Sequence, residues 1–350
     1  MTSPTVAVII PCHNEAVFLP DLLSTLIPQI VAQPNWQLVL VNDGSTDETG
    51  EIVDSAGNRW PEIITVQHGR HGGPGAARTT AVAIACADHA RSPEWILTTD
   101  ADVVLPDNWV SAWSTTLAAL DADNTVGAVN GEEEQAHLLA PYPNAQVLSQ
   151  RFGEVVVRSE SILGPTNLNG VNHAVRTEAY IACGPYRQPV GDGPNGPIML
   201  AGEDWDLGVR LRLAGYRIAS TEVAVADRGR RLLADLVAYL GGTAYEGAFT
   251  RVEASGPTID VTGEQLAQLL PGTARRALLH FYAKPILAVP RLLDTPLGLN
   301  ASTVIDMKAW IERWPSPTFA ESRNGFIYGR LPRFVDAFAD TVLEQLGLCS

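Results

Sequence analysis

Cysteine is scarce in this chain and so widely spread that two structural devices are excluded. The four cysteines are Cys12, Cys86, Cys183 and Cys349. None of them belongs to a Cys-x-x-Cys pair, which is the spacing typical of zinc sites and redox motifs. We therefore expect neither a structural zinc site nor a disulfide framework. Reduced thiols of this kind predict a cytoplasmic location.

Positive charge is also in short supply. The chain has 24 lysine and arginine residues against 39 aspartate and glutamate residues, which gives a formal net charge of −15. Proteins that bind nucleic acid need a basic surface to displace the counterions of the phosphate backbone. We therefore predict that nucleic acid is not a partner, whereas a small phosphorylated ligand needs only a local basic site.

Long apolar runs are missing as well. A spanning helix needs about 18 or more consecutive apolar residues, and no such window occurs, so no transmembrane segment is predicted. The start of the chain also lacks the pattern of a signal peptide. The nearest apolar segment, residues 277–289, is interrupted by His280, Lys284 and Pro285. We predict a packed helix there, with peripheral attachment to a membrane surface as the alternative.

Three short apolar runs indicate buried strands at residues 6–10, 36–41 and 94–97. Segments with helical periodicity follow the first two, the second of them predicted to be capped by Ser45, Thr46 or Asp47. Strands that alternate with helices predict an α/β fold, with a doubly wound, Rossmann-like mixed sheet flanked by helices. In such sheets ligands bind in a crevice outside the carboxyl ends of the strands.

The most informative motif follows the third of these strands. Asp100 and Asp102 flank Ala101 directly after the apolar run. In extended backbone alternate side chains point the same way, so both acids should face one side. Paired carboxylates repel unless a cation neutralises them, and oxygen ligands suit Mg²⁺ or Mn²⁺. The pair therefore predicts a divalent metal site, with a solvated acidic turn as the alternative.

The other strand ends add polar residues to the same predicted edge. Pro11, His13 and Glu15 follow the first strand, and Asp43 ends the second. A glycine-rich stretch at residues 67–78 then leads into a helix that carries Arg78. Small residues let backbone N–H groups approach an anion at a helix start. An anion-binding loop and a simple tight turn are both compatible with this pattern.

A second acidic pair, Glu203 and Asp204, is predicted at the start of a helix that ends at Gly215. Acids at this position either complement the helix dipole or take part in chemistry. His173 has no evident partner in sequence, so it is either structural or catalytic. Three arginines follow residue 227, namely Arg228, Arg230 and Arg231. They could bind a diphosphate or an acidic acceptor. The alternative is that they begin a solvated helix.

Four motifs in this order resemble the family 2 glycosyltransferases of GT-A fold over residues 5–228, about two-thirds of the chain. The motifs occupy residues 8–15, 41–47, 100–102 and 202–204. The chain departs from the common family pattern at two positions. Asn42 stands where a first aspartate is frequent, and His13 replaces the usual aromatic residue.

The resemblance implies a metal-dependent, inverting glycosyltransferase that moves a sugar from a nucleotide-sugar donor to an acceptor hydroxyl. A UDP-sugar is the expected donor, with a GDP-sugar as the alternative, and the acceptor is not specified. Its implied catalytic residues are Asp204 as general base and Glu203 as support, with Asp102 binding Mg²⁺ or Mn²⁺. In the implied donor site, Pro11, His13 and Glu15 surround the base and the ribose, and Asp43 lies at the base. Asp100 lies at the ribose or at the waters of the metal, and Ala101 and Arg78 lie nearby.

The same resemblance gives a domain division. Residues 1–230 form the catalytic domain, with a nucleotide-sugar-binding half at 1–130 and an acceptor-binding half at 131–230. Residues 231–350 form a mainly helical C-terminal region for acceptor choice or homodimer formation. The glycine- and proline-rich loop at 184–197 is predicted to be a lid, and residues 241–247 a flap.

Two other functions are compatible with parts of this pattern. A sugar-1-phosphate nucleotidyltransferase shares the sheet and the metal chemistry, but its glycine-rich signature should directly follow the first strand. Pro11, His13 and Glu15 stand there instead. A non-catalytic nucleotide-sugar-binding protein of the same fold would not need Asp102 and Asp204 together.

Overall fold

The computed structural model describes residues 4–87, 92–187, 190–193, 196–199, 202–241, 257–313 and 330–348. The chain divides into two compact units. The first comprises Met1–Gln135, Leu168–Arg187 and Gly202–Arg228, and the second Ala136–Asn167, Gln188–Ala201 and Gly229–Ser350. Residues 136–167, which the sequence assigns to the acceptor-binding half, therefore group with the C-terminal residues. The functional division of the chain stays a prediction.

The strands of the described residues are, in chain order, β1 (Val6–Cys12), β2 (Trp36–Asp43), β3 (Ile63–His68), β4 (Trp95–Thr99), β5 (Val103–Val104), β6 (Val126–Glu134), β7 (Asn172–Arg176), β8 (Val190–Gly193), β9 (Gly196–Met199) and β10 (Arg217–Asp227). All except β8 and β9 form one sheet in the first unit. The three strands predicted from sequence are β1, β2 and β4, and they are confirmed.

The α-helices are α1 (Leu19–Val31), α2 (Thr49–Arg59), α3 (Pro74–Ala85), α4 (Trp109–Leu120), α5 (Ala136–Leu139), α6 (Pro143–Leu163), α7 (Thr177–Cys183), α8 (Glu203–Leu213), α9 (Arg230–Ala234), α10 (Leu236–Gly241), α11 (Gly263–Leu278), α12 (Lys284–Ala288), α13 (Ala301–Glu312) and α14 (Leu331–Gln345). A π-helical turn, Leu279–Ala283, joins α11 to α12, and a 3-10 turn, Pro290–Asp294, follows α12.

The large sheet has eight strands in the order β3-β2-β1-β4-β7-β6-β10-β5. β7 runs antiparallel to both β4 and β6, and β5 runs antiparallel to β10, whereas the other neighbouring pairs are parallel. The predicted mixed α/β sheet is confirmed. The strand order turns back between β1 and β4, because β2 lies on one side of β1 and β4 on the other. Their carboxyl ends therefore border the crevice in which such sheets bind ligands.

Helices cover both faces of this sheet because β1, β2 and β4 are apolar on both faces. One apolar cluster contains residues of α1, α2 and α4, and the other contains residues of α3, α7 and α8. The sheet is therefore held between two cores. The predicted cap of α2 is only partly as expected. Asp47 accepts a hydrogen bond from the N–H of Thr49, while the N-cap residue is Glu48.

Asn172, the first residue of β7, joins three other elements of the first unit, because its side-chain amide accepts two hydrogen bonds and donates two. Its Oδ1 accepts hydrogen bonds from the indole N–H groups of Trp109 and Trp113, at 3.3 and 3.1 Å. Its Nδ2 donates to the carbonyl oxygens of Glu132 and Val223, at 3.0 and 2.7 Å. The side chain is completely buried. One amide therefore satisfies two buried indole N–H groups of α4 and two part-buried carbonyl groups of β6 and β10.

The second unit is mainly helical, and α6 packs against α11 and the π-helical turn. Within residues 277–289 the described side chains are largely buried, including Ala277, Tyr282 and Ile286, so the predicted packed helix is confirmed with a π-helical interruption. The segment predicted to be a lid contains the hairpin β8–β9, so it is not the featureless loop expected. Most of the predicted flap at 241–247 lies outside the described residues.

None of the helices in the described ranges combines the length and the apolar composition that crossing a bilayer requires.

Replacing Asn172 should destabilise the protein strongly. In Asn172→Leu, two indole N–H groups and two carbonyl groups lose their buried partner, and each unsatisfied group costs about 1–3 kcal/mol. We expect the free energy of unfolding to fall by at least about 3 kcal/mol, measured by urea denaturation. Thr115→Ala, an exposed change on α4, is the control and should stay within about 0.5 kcal/mol of wild type. A loss below 1 kcal/mol for Asn172→Leu would contradict the bonding described.

Candidate active site

Asp43, the last residue of β2, holds the glycine-rich loop that follows β3. Its carboxylate accepts hydrogen bonds from the backbone N–H groups of Gly72 and Gly73, the shortest at 2.8 Å. It also contacts the Nδ1 atoms of His68 and His71, each at 2.7 Å. Burial opposes ionisation of Asp43, but the hydrogen bonds from His68 and the two glycines outweigh it and hold the pKa of Asp43 below its ordinary value.

The loop after β1 is fastened to the loop after β2. Asn14 has a left-handed backbone, with φ of 55°, and its Oδ1 accepts a hydrogen bond from the N–H of Thr46 at 2.8 Å. The N–H of Glu15 donates to Thr49 Oγ1 at 2.7 Å. His13 lies beside them, with its ring stacked on His71 at 3.8 Å and its Nδ1 2.9 Å from the carbonyl oxygen of Asp43. Three predicted donor-site positions, His13, Glu15 and Asp43, thus take part in the contacts that join the ends of β1 and β2.

The acidic turn after β4 differs from the sequence expectation in its backbone. β4 ends at Thr99, and Ala101 and Asp102 form a turn before β5. The extended backbone assumed for the two acids is therefore not present. Ala101 is buried, whereas Asp100 and Asp102 are partly exposed. Pro11 lies within β1, at the same carboxyl edge of the sheet.

Arg78, on α3, binds acidic side chains from two separate segments of the chain. Its side chain is only 2% exposed. One terminal nitrogen donates to Glu203, and the other donates to Asp100 at 2.5 Å and to the carbonyl oxygen of Gly170 at 2.9 Å. Its Nε donates to Thr98 Oγ1 at 3.1 Å. Although burial disfavours the charge, the neighbouring carboxylates raise the pKa of Arg78 above its ordinary value.

The second acidic pair lies at the start of α8, as predicted. Gly202 is the N-cap residue and Glu203 the first helical residue. Glycines make room for both acids. A Cβ atom on Gly170 would lie 2.7 Å from Asp204 Oδ2, and one on Gly75 would lie 3.1 Å from Glu203 Cβ. The first approach is closer than real Cβ atoms show, so a side chain at Gly170 would require the Asp204 carboxylate to move, whereas one at Gly75 would require Glu203 to shift by a few tenths of an ångström.

The surroundings of Asp204 raise the pKa of its carboxyl group. Its burial, and then the charge of Glu203, raise the pKa of Asp204 to about 7, against the opposing effect of Arg78. A carboxyl group with a pKa near neutrality can accept a proton efficiently at physiological pH. The site therefore contains a general-base candidate together with the acidic turn, because Arg78 contacts Asp100 of that turn and interacts with Asp204.

His173 has the structural role that the sequence left open. Its Nδ1 lies 2.6 Å from the carbonyl oxygen of Asn169, and its Nε2 lies 2.9 Å from the hydroxyl of Tyr186. Because a carbonyl can only accept, Nδ1 carries the proton and the tyrosine hydroxyl donates to Nε2. Burial, reinforced by Arg78, lowers the pKa of His173 to about 3, so the ring is neutral at pH 7.

Of the three arginines after residue 227, Arg228 belongs to the first unit, and its contacts are described. Arg228 pairs with Asp21 at 3.1 Å and lies over the ring of Phe18. Arg230 is exposed at the start of α9, and the side chain of Arg231 lies outside what the structure describes. The proposed diphosphate contact of these arginines stays a prediction.

The donor set of the acidic turn suits a hard divalent cation. In the described parts of the chain, no cluster of three or more histidine, cysteine, aspartate or glutamate side chains has the geometry of a metal site. Mg²⁺ is usually held by only one or two carboxylates, with substrate phosphates and water completing its shell. Asp102 and Asp100 fit that pattern, since they are partly exposed oxygen donors on one turn.

Sequence reasoning missed two contributors to the site. His68 and His71 both contact the Asp43 carboxylate, yet they had been considered only as members of a glycine-rich loop. A histidine at the end of a strand, as His68 is, was an available signal. The partnership of Arg78 with Glu203 was not predictable, because 125 positions separate the two residues.

Comparison with known proteins gives a family match for part of the chain. The family model described as Glycosyl transferase family 2 matches residues 7–163. The succinoglycan biosynthesis protein ExoA of Rhizobium meliloti is 26% identical over 225 residues, which cover 63% of this chain and 62% of that protein. Glycosyltransferase AglE of Haloferax volcanii is 23% identical over 238 residues, which cover 67% of this chain and 70% of that protein.

Among solved structures, the mannosyltransferase PcManGT from Pyrobaculum calidifontis, in complex with GDP-Man and Mn²⁺, is similar at a TM-score of 0.51 and 18% identity. The similarity covers 97% of this chain and 88% of that one. At this identity the likeness shows the fold, and the expected GT-A fold is confirmed. The chain matches less than two thirds of ExoA, and only 19% of a poly(ribitol-phosphate) β-glucosyltransferase of Bacillus spizizenii to which it is 24% identical.

Removing the charge of Arg78 should destabilise the first unit in a pH-dependent way. In Arg78→Leu, Asp100, Glu203 and Asp204 lose their cation, and breaking a buried pair costs about 3–5 kcal/mol. Arg78 lowers the pKa of Asp204, so without Arg78 the folded-state pKa of Asp204 rises further above its unfolded value. Protonation below the unfolded pKa restores the stability, which is lost as pH rises through the folded pKa.

Urea denaturation of Arg78→Leu should therefore show a larger loss of unfolding free energy at pH 8 than at pH 5. Arg217→Leu is the matched control, because Arg217 forms an exposed pair with Asp123 at 2.9 Å. Exposed pairs contribute about 0–1 kcal/mol, so the control should change little at either pH. Equal losses at the two pH values for Arg78→Leu would show that Arg78 does not neutralise these acids.

Proposed function

We propose that the chain transfers a sugar from a nucleotide-sugar donor to an acceptor hydroxyl, because residues 7–163 match the family model described as Glycosyl transferase family 2. The observation that carries this proposal is the convergence of two acidic pairs on Arg78. Asp100 belongs to the turn with Asp102, and Glu203 belongs to the helix start with Asp204. A metal-binding turn and a general-base candidate are the two parts that such a transfer needs.

The donor would lie at the carboxyl ends of β1, β2 and β4. His13 and Glu15 would border the base and ribose together with Pro11, and Asp43 would hold the glycine-rich loop against them. Its carboxylate binds the N–H groups of Gly72 and Gly73, so base contact and loop position would be coupled. The similar mannosyltransferase binds GDP-Man, which supports a nucleotide-sugar donor of the UDP or GDP class.

A divalent cation would be held by Asp102, with Asp100 oriented toward it or its waters. When bound, such an ion supplies charge stabilisation for the departing nucleoside diphosphate. The similar mannosyltransferase contains Mn²⁺, which supports a divalent ion of this kind. Arg78 would keep Asp100 in place, because it donates to one of the Asp100 carboxylate oxygens at 2.5 Å.

Asp204 would deprotonate the acceptor hydroxyl. A pKa raised to about 7 gives this carboxyl group more basicity than an ordinary aspartate. Glu203 would support it, since its charge contributes to that shift while its own carboxylate is held by Arg78. With Asp204 as the base and Glu203 held by Arg78, we expect a single in-line displacement, which inverts the anomeric centre.

Two alternative functions fit less well. A sugar-1-phosphate nucleotidyltransferase would need a phosphate-binding loop directly after β1, and that position is occupied by the loop fastened through Asn14 and Glu15. A non-catalytic binding protein would have no use for a base with a raised pKa. Slow, metal-dependent hydrolysis of a nucleotide sugar would distinguish an enzyme from a binding protein. Homodimer formation and the cytoplasmic location stay predictions.

Changing Asp102 should abolish the metal-dependent part of donor binding. In Asp102→Ala, Mn²⁺ should no longer increase the thermal stabilisation that UDP or GDP gives to the protein, while the unfolding temperature without ligand stays the same. Asp107→Ala is the matched control, because Asp107 is an exposed aspartate close to the same turn. Unchanged Mn²⁺ dependence in Asp102→Ala would remove Asp102 from the metal site.

Changing Asp204 should separate chemistry from binding. Asp204→Asn should lose about 10²–10⁴-fold in transfer rate, which is the usual contribution of a general base, and still bind donor and metal. In wild type the rate should fall about tenfold per pH unit below about 7, because the base must be deprotonated. The product anomeric proton, observed by NMR, should show inversion.

Glu203→Gln provides an internal check on the same pH profile. Glu203 raises the pKa of Asp204, so a neutral side chain there should move the acidic limb of the pH–rate profile to lower pH. Retention of configuration, or full activity in Asp204→Asn, would assign Asp204 another role.

A further inference from the structure

A third acidic group lies in the first unit, on strands that the proposed mechanism does not use. Glu133 is near the end of β6 and Asp227 is the last residue of β10. The side-chain amide of Gln135 joins them. Its Nε2 donates to Glu133 Oε1 and to Asp227 Oδ2, the latter at 2.8 Å. One amide therefore bridges two carboxyl groups on neighbouring strands.

The amide bridge joins two acids whose charges affect each other's ionisation. Two carboxylates placed side by side repel when both are ionised. Burial, and then the charge of Asp227, raise the pKa of Glu133 to about 8, so this group holds a proton at neutral pH. A proton and two amide hydrogens are then available to the oxygens of the pair. Without the amide of Gln135, Glu133 and Asp227 would both lose the hydrogen-bond donor that they share.

The pair lies next to the acidic turn through the backbone. Asp227 is paired with Val103, and Ala226 with Val104, in the antiparallel ladder of β10 and β5. Val103 directly follows Asp102. β5 is only two residues long and stands at the end of the strand order, so these two pairs are its sheet attachment. Such short strands are marginal on their own.

The end of β10 lies just beyond its ladder with β6. The register shifts between Ser220 and Ala224, and the pairing then resumes, with Ala224, Val225 and Ala226 opposite Glu132, Glu133 and Glu134. Asp227 is the next residue of β10, and Gln135 is the residue that follows β6. The bridge from Gln135 to Asp227 therefore extends the link between the two strands by one step beyond the last backbone pair.

We propose that Gln135 is a positioning residue for the Asp102 turn, acting through Asp227 and the β10–β5 ladder. Gln135 does not touch the reacting groups. It holds the end of β10 against β6, and β10 in turn holds the strand that follows Asp102. The consequence for metal binding rests on the proposed function, whereas the consequence for the order of β5 does not.

The test uses Gln135→Met, which keeps the length of the side chain and removes its donor. Gln37→Met is the matched control, because Gln37 donates to the carbonyl oxygen of Ala85 at 3.4 Å, at the opposite end of the sheet. In the full-length protein without ligand, backbone amides 102–105 should exchange hydrogen at least about tenfold faster in Gln135→Met and unchanged in the control. Amides of β2 should not change in either variant.

Mn²⁺ binding in the presence of UDP or GDP, followed by the electron paramagnetic resonance of free Mn²⁺, gives the second measurement. Gln135→Met should weaken it about tenfold. Adding Glu133→Gln should restore both properties, because the new amide can donate to Asp227 in place of the amide that was removed. Where Gln135→Met does not fold, Gln135→Asn replaces it, since its amide is one methylene too short to bridge both acids.

Unchanged exchange of amides 102–105 would overturn the proposal whatever the metal result. Uniformly faster exchange across the sheet would also overturn it, because Gln135 would then support stability in general. Absence of Mn²⁺ binding by the wild type would count against the proposed function alone, and the exchange measurement would still decide the role of Gln135.

Discussion

The buried guanidinium of Arg78 is the interaction on which the rest of the site depends. Carboxylates at two separate places in the chain, Asp100 and Glu203, would repel each other if they came together without a cation. Arg78 is suited to the task because its planar fork carries several donors and stays charged even when buried. Its hydrogen bond to the carbonyl of Gly170 adds a third segment of the chain.

The mixed sheet explains how these segments meet. β7 enters antiparallel between β4 and β6, so its beginning lies beside the end of β4, with Asn172 opposite Thr99. Gly170 therefore comes to the edge where Asp100 stands. The same charges that hold the site together also tune it, since Glu203 raises the pKa of Asp204 while Arg78 lowers it. Stability and the basicity of Asp204 are thus set by one network.

The sequence predicted the local features of this protein well where a single segment decides them. Apolar runs predicted β1, β2 and β4, and the acidic pair Glu203 and Asp204 was correctly placed at the start of α8. It failed where neighbours in space decide. The turn after Asp100 is not extended, and the expected lid contains a hairpin. Both depend on partner strands that a linear pattern does not reveal.

By itself, the sequence determined which polar residues stand at the ends of the predicted strands, because periodicity and motif order are local properties. Only the tertiary structure decided what those residues do to one another. It made Arg78 a partner of acids where the sequence had suggested an anion-binding group, and it paired Asp43 with His68, His71 and the glycine loop. Burial and the distance between charges set these roles, and both arise only when distant segments pack together.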